Sequence, residues 1–176
     1  MKYFYFEWIY PIKDYYKSSE KRELIFDMGV PFIISIIVML VCIFNDMSGE
    51  VSNELANPLF QLTSVLIGFS IMLVTILMTS GGSGIEELKN RTIRKELYNV
   101  NISLFQKLHI QFIYSLMAEV ILLLIIMLFY FLHNAIGVYA LDELFLLIFV
   151  YDILNILFSL IRGITNIYFS FYNNTK

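Results

Sequence analysis

LDELFLLIFVYDILNILFSLIRGITNIYFSFY, residues 141–172, decides how this chain has to be read. Beyond its acidic start the run is apolar, interrupted by a polar series at Asp152, Asn155, Ser159, Arg162, Asn166 and Ser170 that continues to Asn173. The series is spaced alternately by three and four residues. A helix therefore gathers it into one stripe less than a quadrant wide and leaves Leu, Ile, Phe and Val on the remaining faces. Inside a membrane span such a stripe faces protein or water, because an ionisable group turned to lipid costs about 2.5–3.5 kcal/mol or more. Two readings of the stripe stay open. Asp152, Asn155, Ser159, Arg162 and Asn166 line a hydrated pathway or switch, or they hold helices together through hydrogen bonds.

The rest of the chain puts this helix in a membrane. Hydrophobic residues make up 59% of the sequence and charged ones only 15%, so a soluble domain with polar residues interleaved at helical period is excluded. Several apolar runs approach the roughly 20 residues that span a bilayer. The first 23 residues carry charges and tyrosines throughout, unlike a signal peptide, and no cleavage is expected. Cys42, the single cysteine, lies in an apolar run and reads as a small packing residue. There is no lipidation motif.

Residues 1–23 mix Tyr3, Phe4, Tyr5, Phe6, Trp8, Tyr10, Tyr15 and Tyr16 with lysines and acids. Too polar to cross, this segment is expected to lie in the headgroup layer, broken at Pro11, with plugging of a pore as the alternative. Spans are expected at about 24–44, 58–79, 110–132 and 142–165. Asp27 stands at the inner edge of the first, and Pro31 lies in an early turn, where proline is tolerated. On the second, Gln61, Ser64, Gly68 and Thr75 recur on one side and read as a close-packing face. The linker, 80–109, opens with Gly81, Gly82 and Gly84, then offers capping boxes at Ser83 with Glu86 and at Ser103 with Gln106. Its cations Lys89, Arg91, Arg94 and Lys95 read as a cluster on a short helix continued into the third span, a candidate site for an anionic ligand or simply a topogenic signal.

Orientation follows from where the cations fall. Lys2, Lys13, Lys17, Lys21 and Arg22 precede the first span, and Lys89, Arg91, Arg94, Lys95 and Lys107 lie between the second and third. The other two connections contain no Lys or Arg, so both termini and the linker are expected in the cytoplasm. The expected fold is all-α, a four-transmembrane-helix bundle with both ends inside. Depth can then be counted along the helices. Asp152 falls about 15 Å inside Asp142, near the middle of a core about 30 Å thick. Arg162 comes a similar distance further, and Glu119 on the third span lies about two turns in from the same boundary. Glu119 and Arg162 are thus expected as an intramembrane ion pair, with snorkelling of Arg162 as the alternative.

Catalysis finds little support. His109 and His133 are far apart, no ligand spacing suits a metal, and no phosphate-binding loop is present, so neither an enzyme nor a cofactor is expected.

The order of an aromatic start, two spans, IEELK at 85–89 in the linker and ISLFQ at 102–106 opening a long third span resembles the small four-span membrane subunits of bacterial anti-phage systems. Hailong and Kiwa are two of these. The first likeness implies a tetrameric ion channel controlled by an oligonucleotide from a partner nucleotidyltransferase. The second implies a membrane sensor that recruits a cytoplasmic DNA-binding partner. An oligomeric channel gated by an anionic nucleotide signal is the first expectation for function, and a non-conducting sensor or anchor holding a cytoplasmic protein is the alternative. The partners expected are the lipid bilayer, further copies of the chain, with a tetramer favoured, and one of those cytoplasmic ligands.

Overall fold

A computed structural model describes residues 7–79, 81, 83–98, 100–136 and 141–172. The aromatic residues 3–6, Lys2, Gly82 and Asn173 lie outside the described residues, as do the side chains of Ser83, Arg94, Lys95 and Ser170. After a turn at Glu7–Ile9 come α1 (Tyr10–Ser18), α2 (Lys21–Phe44), α3 (Ser48–Thr79) and α4 (Ser83–Asn90). A hairpin follows, β1 (Thr92–Leu97) and β2 (Val100–Ser103), and then α5 (Leu104–Tyr130) and α6 (Asp142–Tyr172). Helices α2, α3, α5 with its extension to His133, and α6 are the 4 long and apolar enough to cross a membrane.

Local chemistry explains the boundaries. Ser103 and Gln106 form the expected capping box: the Gln106 backbone N–H donates to Ser103 Oγ at 3.2 Å and the Ser103 N–H donates to Gln106 Oε1 at 2.8 Å. Between α2 and α3 the chain turns through Asp46, whose φ of 56° is a left-handed conformation that a short polar side chain tolerates. Helix α3 begins at Ser48, ahead of the expected start at Pro58, and carries Pro58 inside it at an exposed position. Pro11 sits in the first turn of α1 and starts that helix rather than breaking it. The linker departs most from expectation. Instead of a short helix running straight into the third span, α4 is followed by an antiparallel hairpin pairing Thr92 with Ser103 and Leu97 with Val100, and it turns at Tyr98, whose φ is 53°.

Packing places α6 at the centre. It lies against α2, α3 and α5, while α2 and α3, although consecutive, scarcely touch each other. The outer surface is apolar: Phe44, Val65, Ile33 and Leu124 all stand well exposed. Small polar groups lie inside, with Ser35, Ser52, Thr63, Ser70, Ser115 and Ser159 fully buried between helices. Short hydroxyl side chains let backbones approach and return their hydrogen bonds to the helix, as Ser35 Oγ does to the Phe32 carbonyl at 2.8 Å. The buried face of α3 carries Ala56, Leu59, Thr63 and Ser70. The stripe expected to pack, Gln61, Ser64, Gly68 and Thr75, points away from the bundle, and a Cβ added at Gly68 would meet nothing. Hydropathy could not separate the two faces, since lipid and core are equally apolar.

Candidate functional site: a buried charge network at the hairpin end

Helix α2 opens with an α-helical turn and then widens at Ile25–Gly29 into a π-helical turn, a local form often found at functional positions. Asp27 stands in it, fully buried. The ordinary helical donor for the Asp27 carbonyl would be the N–H of residue 31, and Pro31 has none. Asn155 on α6 supplies one: its Nδ2 donates to the Asp27 carbonyl oxygen at 2.6 Å. Its Oδ1 accepts from the Tyr114 hydroxyl of α5 at 2.8 Å, so this single amide joins three helices.

Two turns along α6, Arg162 meets the Asp27 carboxylate with both Nε and Nη2, the latter at 2.6 Å. Its Nη1 lies 3.0 Å from Glu23 Oε1, an ionic contact not aligned as a hydrogen bond. Glu23 Oε1 in turn accepts from Lys107 Nζ at 2.6 Å. Two acids, Glu23 and Asp27, are thus balanced by two cations, Lys107 and Arg162, in a region largely closed to solvent. That balance matters because the desolvation cost of a buried ion is recovered only when opposite charges and hydrogen bonds surround it.

The N-terminal helix is fastened to this cluster by one side chain. Tyr15 donates its hydroxyl to the Asp27 carboxylate, receives a hydrogen bond from Arg162 Nη2 at 3.2 Å, and stacks on Tyr114 at 3.8 Å between ring centroids. Burial, and then the hydrogen bond to Asp27, push the Tyr15 phenol above its ordinary range and keep it a donor. The other aromatics of this segment, Trp8, Tyr10 and Tyr16, remain exposed around it.

The polar stripe of α6 therefore divides. Asn155 and Arg162 turn to α2, and Ser159 turns to α5, where its hydroxyl accepts from Ser115 Oγ at 3.2 Å and its carbonyl from Gln111 Nε2 at 2.5 Å. Gly163 is required beside them, since a Cβ there would lie 2.7 Å from the buried Phe112 ring. Asn166 is half-buried one turn further on. Asp152, half-buried and one turn deeper than Asn155, has no hydrogen bond or ion pair among the described residues.

The expected pairing of Glu119 with Arg162 is not found. Glu119 is fully buried, but its Oε1 accepts from Ser70 Oγ of α3 at 2.7 Å and its Oε2 has no partner among the described residues. Geometry explains the miss. Each step of four residues overshoots a helical turn by about 40°. Gln111 and Ser115 face α6, whereas Glu119, two such steps beyond Gln111, has rotated round to α3. Asp27 lies at the depth of Arg162 as well. The sequence offered that signal, but which spans touch decides between the two acids.

The linker cations are separated too. Lys89 lies in the last turn of α4, Arg91 lies between α4 and β1, and Arg94 and Lys95 fall on β1 rather than on one helix. The Lys89 ammonium sits 5.2 Å from the centroid of the Phe105 ring. Among the described residues no group of His, Cys, Asp and Glu is placed to hold a metal. Comparison with known protein families, curated proteins and solved structures finds no match to this chain.

Proposed function

We propose that this chain is a multi-pass protein of a bacterial cytoplasmic membrane, with both termini and the hairpin inside, acting as a sensor or anchor that passes a cytoplasmic signal to the packing of its spans. The observation that carries this reading is the Tyr15, Asp27 and Arg162 cluster, through which a short helix outside the bundle is bonded to α2 and α6 together. Withdrawing α1 removes the Tyr15 hydroxyl from Asp27, so a partner that prefers α1 free also prefers a different packing of the spans. In this packing Asn155 and Ser159 make hydrogen bonds to other helices of the same chain, which favours a non-conducting module over a channel formed along the α6 stripe. The layout shared with anti-phage membrane subunits makes phage infection the stimulus to apply, with a cytoplasmic protein or a nucleotide meeting the linker cations.

A second reading, a homotetrameric ion channel, is favoured by two features that face out of the single chain. Asp152 makes no hydrogen bond or ion pair among the described residues, and the small and polar stripe of Gln61, Ser64, Gly68 and Thr75 is exposed. Cyclic assembly would give both a neighbour.

Ion flux from the purified chain in liposomes separates the readings. The sensor reading expects no flux above protein-free liposomes, with or without release of α1 by Tyr15→Ala, whereas flux that disappears in Asp152→Leu installs the channel. Orientation is read independently with single cysteines at Asn53 and Asn90 in a chain lacking Cys42. An impermeant reagent on intact cells should modify position 53 and spare position 90, and the reverse overturns the topology.

A further inference from the structure

Between the hairpin and the first two turns of α5 lies a groove of about 420 Å³, within the size range of small-molecule sites. Its walls are mostly carbon: Leu97, Val100, Ile102, Phe105 and Ile110, with the Tyr98 ring at the lip. Tyr98 and Val100 are well exposed, so the groove is open. Helix α5 with its extension is 30 residues long. At about 1.5 Å per residue it outruns a hydrocarbon core of about 30 Å, and the polar Gln106, Lys107 and His109 mark its first turns as the end at a membrane boundary.

Two cations flank the groove, brought there by different elements. Lys17 of α1 holds its ammonium 5.3 Å from the Tyr98 ring centroid, and Lys89 of α4 holds its own 5.2 Å from that of Phe105. Neither makes an ion pair within the described residues. Among the described residues the acid bonded to the lip is Asp14, whose Oδ1 accepts from the Tyr98 hydroxyl at 3.0 Å and fixes the ring that Lys17 covers. His109 contributes a ring whose Nδ1 is shut off from solvent without a partner among the described residues. An apolar slot opening at the headgroup level between two ammonium groups matches a molecule with a hydrocarbon tail and an anionic head.

We propose that this groove is a binding site for an anionic phospholipid, one acyl chain lying along Val100, Ile102 and Ile110 and the phosphate facing Lys17 and Lys89. A lipid is preferred to an apolar peptide because the groove opens at a membrane boundary and the two flanking ammonium groups outnumber the Asp14 carboxylate, which is already engaged by the Tyr98 hydroxyl. The site spans α1, α4, the hairpin and α5, so an occupied groove favours the arrangement in which α1 is docked. The proposal goes beyond the sensor reading and needs only the boundary position of the hairpin.

The full-length chain in mild detergent is titrated with phosphatidylglycerol, with phosphatidylcholine of the same chains and with inorganic phosphate, and bound masses are read by native mass spectrometry. One copy of phosphatidylglycerol is expected to bind at least tenfold more tightly than phosphatidylcholine, and Lys17→Glu with Lys89→Glu should remove that preference. Equal binding of the two lipids, or competition by inorganic phosphate at the lipid's own concentration, overturns the site as a lipid site. Because a variant can fail by misfolding, the unaltered chain is also photolabelled with phosphatidylglycerol bearing a photoreactive acyl chain. Adducts within residues 97–110 support the proposal, and adducts confined to the exposed faces of α2 and α3 overturn it. Neither assay uses a cytoplasmic partner, so failure of the sensor reading leaves this result standing and the reverse.

Discussion

Two stretches of α6, nearly three turns apart, treat charge in opposite ways. At Arg162 the guanidinium is enclosed by Asp27, Glu23 and Tyr15, and the adjoining Lys107 is paired as well. At Asp152 a carboxylate near the centre of the span has no partner within the described chain. The first arrangement is complete in one molecule and serves its own packing. The second is incomplete in one molecule, and an unpaired acid at that depth is costly unless water or another protein reaches it. On the proposed reading the two do separate work: the hairpin end holds the chain together and couples α1 to it, while Asp152 in the middle of α6 is left for something outside.

The largest effect is expected where the pairing is closest. Asp27→Asn removes the carboxylate that Arg162 hydrogen-bonds and leaves only the unaligned contact with Glu23, while keeping the shape of the site, and breaking a buried pair on one side costs about 3–5 kcal/mol. Its thermal unfolding midpoint in detergent should fall further than that of any single change in the stripe. Combining Asp27→Asn with Arg162→Met should recover much of the loss, since the orphaned charge is then gone. If Asp27→Asn melts with the parent, the network is an incidental surface of the fold.

Next comes Tyr15→Phe, which keeps the stack on Tyr114 and removes the hydroxyl between Asp27 and Arg162. A hydrogen bond to a charged group contributes about 1.5–3 kcal/mol. The expected outcome is local. Amide exchange across α1 should quicken while exchange in the middle of α5 and α6 stays slow, because Tyr15 is the residue of α1 that enters the charge network, whereas the spans hold one another. Equal acceleration in both regions would show that α1 is part of the core rather than a latch upon it.

How much of this was legible in the sequence depends on which physical force wrote it. The four spans were readable because a membrane demands long apolar runs, and the Ser103 and Gln106 cap because it is local. The α6 stripe was readable as polar, and its contacts favour the helix-binding alternative at Asn155 and Ser159. Its partners were not readable. Arg162 had acids at matching depth on two helices, and only the tertiary arrangement, with α6 against α2, selects Asp27. On α3 the face of small residues that looked like an interface points outward, since Ser and Gly suit a contact with any helix, including one from another chain. The hairpin was hidden because TIRKEL is as charged as a helix surface and its turn depends on Tyr98 adopting a left-handed conformation that no motif announces.

The smallest effect on the single chain, and the sharpest test of the comparison, belongs to Asp152→Leu. No bond is broken by this change, because none is made within the described residues. The folded monomer should therefore melt within about 0.5 kcal/mol of the parent, as substitutions away from any named interaction do, or slightly above it, as an acid is taken out of the apolar span. Ile153→Leu, a neighbouring change that conserves volume, is the control for packing. What distinguishes Asp152 is the assembled state. If the acid meets water or a second copy, its loss should change the mass of the complex in mild detergent, or the flux it supports in liposomes, while Ile153→Leu changes neither. A monomer destabilised by Asp152→Leu as strongly as by Asp27→Asn would mean that the middle of α6 is bound as tightly as its end, and the two regions would no longer divide the work.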